Sequence, residues 1–319
     1  MSGPLAPDAA GWHCSEGIRL RPMDVPRIVL FSTPLVSTWV FDETHRVLFD
    51  AGDGVSALME SRIHKIRLAA LTHTHRDHCS GLMQLLNLRG GAGDFTTVFP
   101  EDSGSARALL SFLSGFDTRS TSKVRFQPLG VGASLPIEPD RHCLRGFATD
   151  HYPQSGPPRT LSLGYQIVRQ VDRVRPEYRH LPQPELDTLR LAHGRAHITR
   201  TEEDVLLSIT GDTMPLPAER FVGSRVLLHE CTFLNVEEKR ESALMGHPHS
   251  DLDDVLATAR DARVGHLGLY HISRRYEDGH ALATVRERCA TLRVPCPVSV
   301  ALPGRLYEDL LSHRVWPGD

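Results

Sequence analysis

The stretch Thr72-His73-Thr74-His75-Arg76-Asp77-His78 decides how this chain is read. Three imidazoles and a carboxylate fall within six residues, directly after the apolar run at 67–71 (RLAAL). That run reads as a β-strand. Alternate side chains of an extended segment share one side, so His73 and His75 can converge on one ion. A turn beginning at Arg76 then aims Asp77 and His78 at a neighbouring point. Imidazole and carboxylate donors without thiolate suit zinc, iron or manganese, with zinc preferred.

Two ions need more donors than this loop holds, and other strand ends supply them. Residues 46–50 (RVLFD) end in Asp50, and 205–210 (VLLSIT) run into Gly211-Asp212. Residues 225–229 (RVLLH) lead to Glu230, and 265–270 lead to His271; His151 follows the strand read at 144–148. A carboxylate such as Asp212 can bridge two ions. In open α/β sheets, sites gather at the carboxyl ends of strands. Further strands are read at 98–99, 161–168 and 297–302. Helical spacing falls at 55–62, 82–88, 103–116, 250–262 and 280–292, with Ser103 and Ser250 as caps. This alternation predicts an α/β fold.

Composition bounds the function. The chain has 319 residues, 40% hydrophobic and 24% charged, which excludes disorder, collagen and coiled coil as the whole answer. A net charge of −3 leaves nucleic-acid contact to a local patch. No apolar segment approaches a membrane span or the core of a signal peptide, so a soluble, cytoplasmic protein with no membrane partner is expected. The six cysteines form no C-x-x-C pair and are expected as reduced thiols. Segment 169–200 is polar, with Pro176, Pro182 and Pro184, and its seven arginines outnumber its four acids. It is read as an insert in a domain spanning 28–319, after an N-terminal extension over 1–27.

The order T-H-x-H-x-D-H, spaced His, G-D-T and final His resembles the metallo-β-lactamase superfamily of binuclear hydrolases, over about residues 28–303. The resemblance implies a four-layer α/β/β/α sandwich with two zinc ions at one edge, manganese or iron being alternatives. It gives His73, His75 and His151 to one ion, Asp77, His78 and His271 to the other, and Asp212 to both. Asp50 would support the loop without binding metal.

Three further motifs narrow the branch. His229-Glu230-Cys231-Thr232-Phe233 resembles the H-E-A-T-F motif of ribonuclease Z, which trims tRNA 3′ ends. His247-Pro248-His249-Ser250 resembles its G-H-S-T region, and His271-Ile272-Ser273-Arg274-Arg275-Tyr276 its H-x-S-x-R-Y. The resemblance implies a phosphodiesterase acting on an RNA or tRNA 3′ end with a hydroxide flanked by two ions. Asp77 would orient that hydroxide, and His249, paired with Glu230, would be the general acid. Ser250 at a helix start and Arg275 would bind phosphate, and the chain would pair as a homodimer. His247 reads as structural and Cys79 as a small buried residue. Cys231 and Asp251 depart from the family pattern, and no Gly-Pro-tipped arm is found. A zinc hydrolase for a small lactone, thioester or cyclic nucleotide is therefore the alternative.

Overall fold

Each apolar run singled out above lies on a strand. The computed structural model describes residues 13–14, 18–19, 25–152, 157–244 and 248–318, so His247 and most of the extension at 1–27 lie outside the described residues. A small pair, β1 (His13–Cys14) and β2 (Ile18–Arg19), stands apart from two large sheets. One sheet comprises β3 (Ile28–Thr33), β4 (Ser37–Asp42), β5 (Val47–Phe49), β6 (Leu68–Ala70), β7 (Phe95–Pro100) and β8 (Val124–Leu129). The other comprises β9 (Ser134–Ile137), β10 (His142–Ala148), β11 (Leu163–Val174), β12 (Thr199–Ile209), β13 (Val226–Glu230), β14 (Leu267–Tyr270) and β15 (Val298–Val300). The chain then returns β16 (Leu306–Tyr307) to the first sheet, beside β3, and β17 (Arg314–Trp316) to the second, beside β15.

The two sheets repeat one plan. From β16 to β8 there are three antiparallel joins and then three parallel ones. From β9 to β15 the order is the same. The inner parallel strands β5, β6, β13 and β14 are buried on both faces, which is why they read as continuous apolar runs. Between the sheets lies one core, with Phe49, Val98, Tyr165, Leu207 and Leu228. Helices Leu82–Arg89 and Gly104–Phe116 cover the outside of the first sheet. Helices Leu252–Asp261 and Asp278–Leu292 cover the second. This is the four-layer α/β/β/α sandwich expected from sequence. Among the described residues no helix is long and apolar enough to cross a membrane.

Two readings are corrected. The helix expected from Ser250 starts at Leu252, and its cap is Asp251, whose carboxylate accepts from Asp254 N at 3.2 Å. Ser250 is drawn inward instead, its hydroxyl donating to Thr213 O at 2.8 Å. The strand expected to stop at 168 runs on to Val174, paired with β12 from Tyr165↔Ile209 to Val174↔Thr199. Its outer half is polar because cross-strand charges hold it where no core is available. Arg169 and Asp204 are directly opposite, and Arg169 Nη2 lies 3.1 Å from Asp204 Oδ2. The segment 169–200 is thus largely a ribbon, with helices Gln183–His193 and Arg195–Ile198 at its tip.

Candidate metal centre

The histidine loop leaves β6 and is held at both ends by Asp50. Thr72 N donates to Asp50 Oδ1 at 2.7 Å and Thr72 Oγ1 to Asp50 Oδ2 at 2.9 Å. Asp50 Oδ2 also lies 2.8 Å from His78 Nδ1. Asp50 sits at a φ of 59°, and His271 at 60°, so backbone strain gathers at this edge of the sandwich. The loop closes over Gly52: a Cβ there would lie 2.3 Å from Asp77 O and 2.5 Å from Thr38 N. Only glycine lets these three segments meet.

The structure brings the donor atoms into two groups, each within 4.8 Å: His73, His75, His151 and Asp212, and Asp77, His78 and His271. Asp212 Oδ2 lies between them, 3.8 Å from His73 Nε2, 3.4 Å from His78 Nε2 and 3.5 Å from His271 Nε2. Asp77 Oδ2 is 3.7 Å from Nε2 of both His78 and His271. Donors around a tetrahedral ion with bonds near 2.0–2.1 Å stand roughly 3.3 Å apart, close to this spacing. Five of the atoms are buried without a hydrogen-bond partner: Nε2 of His73, His78 and His271, Nδ1 of His151 and Oδ1 of Asp212. Each such atom costs about 1–3 kcal/mol unless something satisfies it. Among them, Nε2 of His73, His78 and His271 meet within 3.8 Å of Asp212 Oδ2, and such unpartnered donors at one spot fit bound cations.

The far sides of the rings are anchored. His73 Nδ1 and Thr72 Oγ1 are 3.0 Å apart, as are His271 Nδ1 and Thr232 Oγ1. Such contacts fix ring orientation. Burial pushes the His151 imidazole down to about 4 and holds His73 well below its ordinary value, which favours their neutral, ligating forms. Burial would raise Asp77, but the neighbouring His271 and His78 imidazoles bring its carboxyl down to about 2.

Beside this cluster lies a second arrangement. Glu230 is fully buried at the end of β13. Its carboxylate accepts from Thr213 N at 3.1 Å, Thr232 N at 2.9 Å and Ser250 N at 3.0 Å, and lies 3.0 Å from His249 Nδ1. Burial would lower the His249 imidazole, but the Glu230 carboxylate more than offsets it, leaving a value of about 9. The His249 ring stacks on His271 with centroids 5.4 Å apart. It also falls within 4.8 Å of Asp212 and His271 as a third group of donors. Arg275 is at the rim, 3.7 Å from Glu238 Oε2 and 5.5 Å above the Phe233 ring. Ser250 is buried with its hydroxyl engaged. Cys79 is buried, and burial pushes its thiol up to about 11. The anchors Thr72, Thr232 and Ser32, whose Oγ accepts from His271 N at 3.1 Å, were not singled out from sequence. Thr72 and Thr232 lie inside the quoted motifs without a role being read for them, but Ser32 is 239 residues from His271 and leaves no local signal.

No protein-family model matches the chain. Among solved structures, it is similar to the metallo-beta-lactamase fold protein YhfI from Bacillus subtilis, with a TM-score of 0.59, 13% identity, and coverage of 88% of this chain and 99% of that one. The short form of human tRNase Z is similar at a TM-score of 0.56 and 16% identity, covering 88% and 98%. Two sheets, flanking helices and a His/Asp donor cluster at one edge define a protein of the metallo-β-lactamase fold. Ribonuclease Z from Shouchella clausii is 31% identical over 251 residues, covering 72% of this chain and 77% of that one. The chain belongs to the ribonuclease Z family.

Proposed function

We propose that the protein is a binuclear zinc phosphodiesterase that cleaves RNA near a 3′ end, tRNA being the substrate that the motif resemblance to ribonuclease Z implies. The observation that carries this reading is the buried Glu230–His249 pair at the edge of the donor cluster. Ester and lactam hydrolysis can proceed without such a pair, whereas expulsion of an alkoxide from a phosphodiester needs an acid. His73, His75 and His151 would hold one ion, Asp77, His78 and His271 the other, with Asp212 shared. Ions there would supply an activated water and neutralise charge on the phosphoryl oxygens.

The chain's own groups supply the rest. Glu230 occupies Nδ1 of His249, which leaves Nε2 to donate the proton to the departing alkoxide. Asp77 turns a carboxylate oxygen toward the cluster, where it orients the attacking water. Arg275, once released from Glu238, is the rim cation for a phosphate oxygen. Ser250 acts through its backbone N–H, which holds the Glu230 carboxylate.

Loss of His249 tests the reading. His249→Ala should slow cleavage of an RNA or alkyl phosphodiester on the order of 10²–10⁴-fold. It should largely spare bis(p-nitrophenyl) phosphate, whose leaving group needs little protonation, and should leave the metal content intact. Equal losses on both substrates would remove the general-acid role. A small phosphodiester is the second reading. It is favoured by the ribbon β11–β12, whose arginines are engaged with its own acids. A panel of pre-tRNA, a cyclic nucleotide, a lactone and a thioester separates the two. We extend the proposal to a homodimer in the cytoplasm. Its support is the exposed Phe112 and Phe116, stacked with centroids 5.6 Å apart, and Met83, which lines a groove of about 310 Å³ with Phe116.

A further inference from the structure

The turn joining β3 to β4 carries an unexpected residue. Val36 N donates to Thr33 O at 3.0 Å, closing a four-residue turn with Pro34 second and Leu35 third. Leu35 has a φ of 65°. A turn with proline second and positive φ third is normally completed by Gly or Asn, because a larger side chain crowds the backbone there. Leucine at that position costs stability, and packing does not offset it: Leu35 is 92% exposed. The turn is nonetheless tightly held. Ser37 Oγ donates to Asp53 O at 2.6 Å, and Gly304 N donates to Thr33 Oγ1 at 2.7 Å. The amide of Leu35 itself donates to Asp77 Oδ2 at 2.9 Å. The backbone of Leu35 is therefore fixed one hydrogen bond from a carboxylate of the candidate centre, and its apolar side chain projects into solvent beside it.

Arg76, which precedes Asp77 in the chain, is exposed and forms no ion pair among the described residues. An apolar tip, an available cation and a cluster of cation-binding donors suit a ligand that is flat and apolar at one end and anionic at the other. A nucleotide has that chemistry, and stacking or packing on a base tolerates any base.

We propose that Leu35 is a specificity-determining residue, the apolar platform on which the nucleobase next to the scissile phosphate rests. The inference builds on the phosphodiesterase reading, but its test does not need turnover. Titration calorimetry of the metal-loaded protein compares adenosine 5′-monophosphate with ribose 5-phosphate, which differ only in the base. The nucleotide should bind roughly tenfold tighter, the discrimination one apolar contact provides. Leu35→Gly should abolish that preference, leave ribose 5-phosphate binding unchanged, and keep or raise Tm because glycine relieves the positive φ. Leu35→Phe should widen the preference. Equal binding of the two phosphates by the unaltered protein, a preference that survives Leu35→Gly, or a fall in Tm on that substitution would each overturn the proposal. Failure to hydrolyse any phosphodiester would instead defeat the functional reading, with this binding difference still measurable.

Discussion

At one end of the ribbon formed by β11 and β12, Leu163 N donates to Thr72 O at 2.9 Å and Ile209 leads into Asp212. At the other end, Val174 and Thr199 open into the helical tip. A strand of 12 residues separates these ends by roughly 35 Å. The donor end keeps buried nitrogen and oxygen atoms without protein partners. The tip end does the reverse. Arg169, Arg173 and Arg225 converge on Asp204, Arg141 and Arg195 on Asp172, and Arg173, Arg179 and Arg200 on Glu202. One end gives up internal satisfaction and keeps its capacity to bind; the other spends its charges on holding itself together. A surplus of arginine in a segment is therefore no measure of the charge it offers a partner.

The sharpest break between the ends comes from Asp212→Ala. Because Asp212 Oδ2 lies among three imidazole nitrogens, both ions should be lost together. Elemental analysis should show near-complete loss of metal, with activity falling at least about 10³-fold, on the scale of removing a unit of the catalytic machinery. Unchanged metal would sink the shared-ligand assignment. Stability of the metal-free protein should scarcely fall, since the substitution removes a buried carboxylate with an unpartnered oxygen.

Asp204→Ala should show the converse. It takes away the acceptor shared by three guanidinium groups and should cost about 1–3 kcal/mol in urea denaturation, while metal content and kcat remain as before. A matching loss of metal would mean the ends are coupled through the ribbon.

The smallest effect concerns acid. Hydrogen bonds from Arg141 and Thr201 hold the Asp172 carboxyl down at about 2. A depressed carboxyl stabilises the folded form above the unfolded value near 3.9, and that contribution fades as pH falls from about 4 through 2. Protection of the outer-ribbon amides, measured against the intrinsic exchange rate at each pH, should therefore fall over that window. Acid also protonates imidazoles at the donor end, so the reading is made against Asp172→Asn, which should show the faster exchange already at pH 5. No difference between the two proteins at pH 5 would remove Asp172 from the account of the tip.

Much of the site was legible because its chemistry is local or sits at strand ends. His73 and His75 lie on one loop, with Asp77 and His78 on the single helical turn that continues it, and Asp50, Asp212, Glu230 and His271 each lie at or just past an apolar strand. The helix start was misplaced because Ser250 and Asp251 are both good caps, and only the pull of Thr213 O on the Ser250 hydroxyl decides between them. The length of β11 was hidden because its outer half has the composition of a loop. Register alone sets Arg169 opposite Asp204, and register is a property of two strands together.

The sequence by itself determined an α/β fold, through the alternation of apolar runs and helical spacing, and the donor types, since residue chemistry is carried by identity; the two-sheet plan was legible only through the motifs' resemblance to a known superfamily. Tertiary structure alone decided which donors stay unpartnered, which arginines are already used, and that the tip of the β3–β4 turn stands beside Asp77. Those outcomes depend on distances between residues far apart in the chain, such as Leu35 and Asp77 or Ser32 and His271. Such distances are set only when both sheets and their helices have closed around the cores between and outside them.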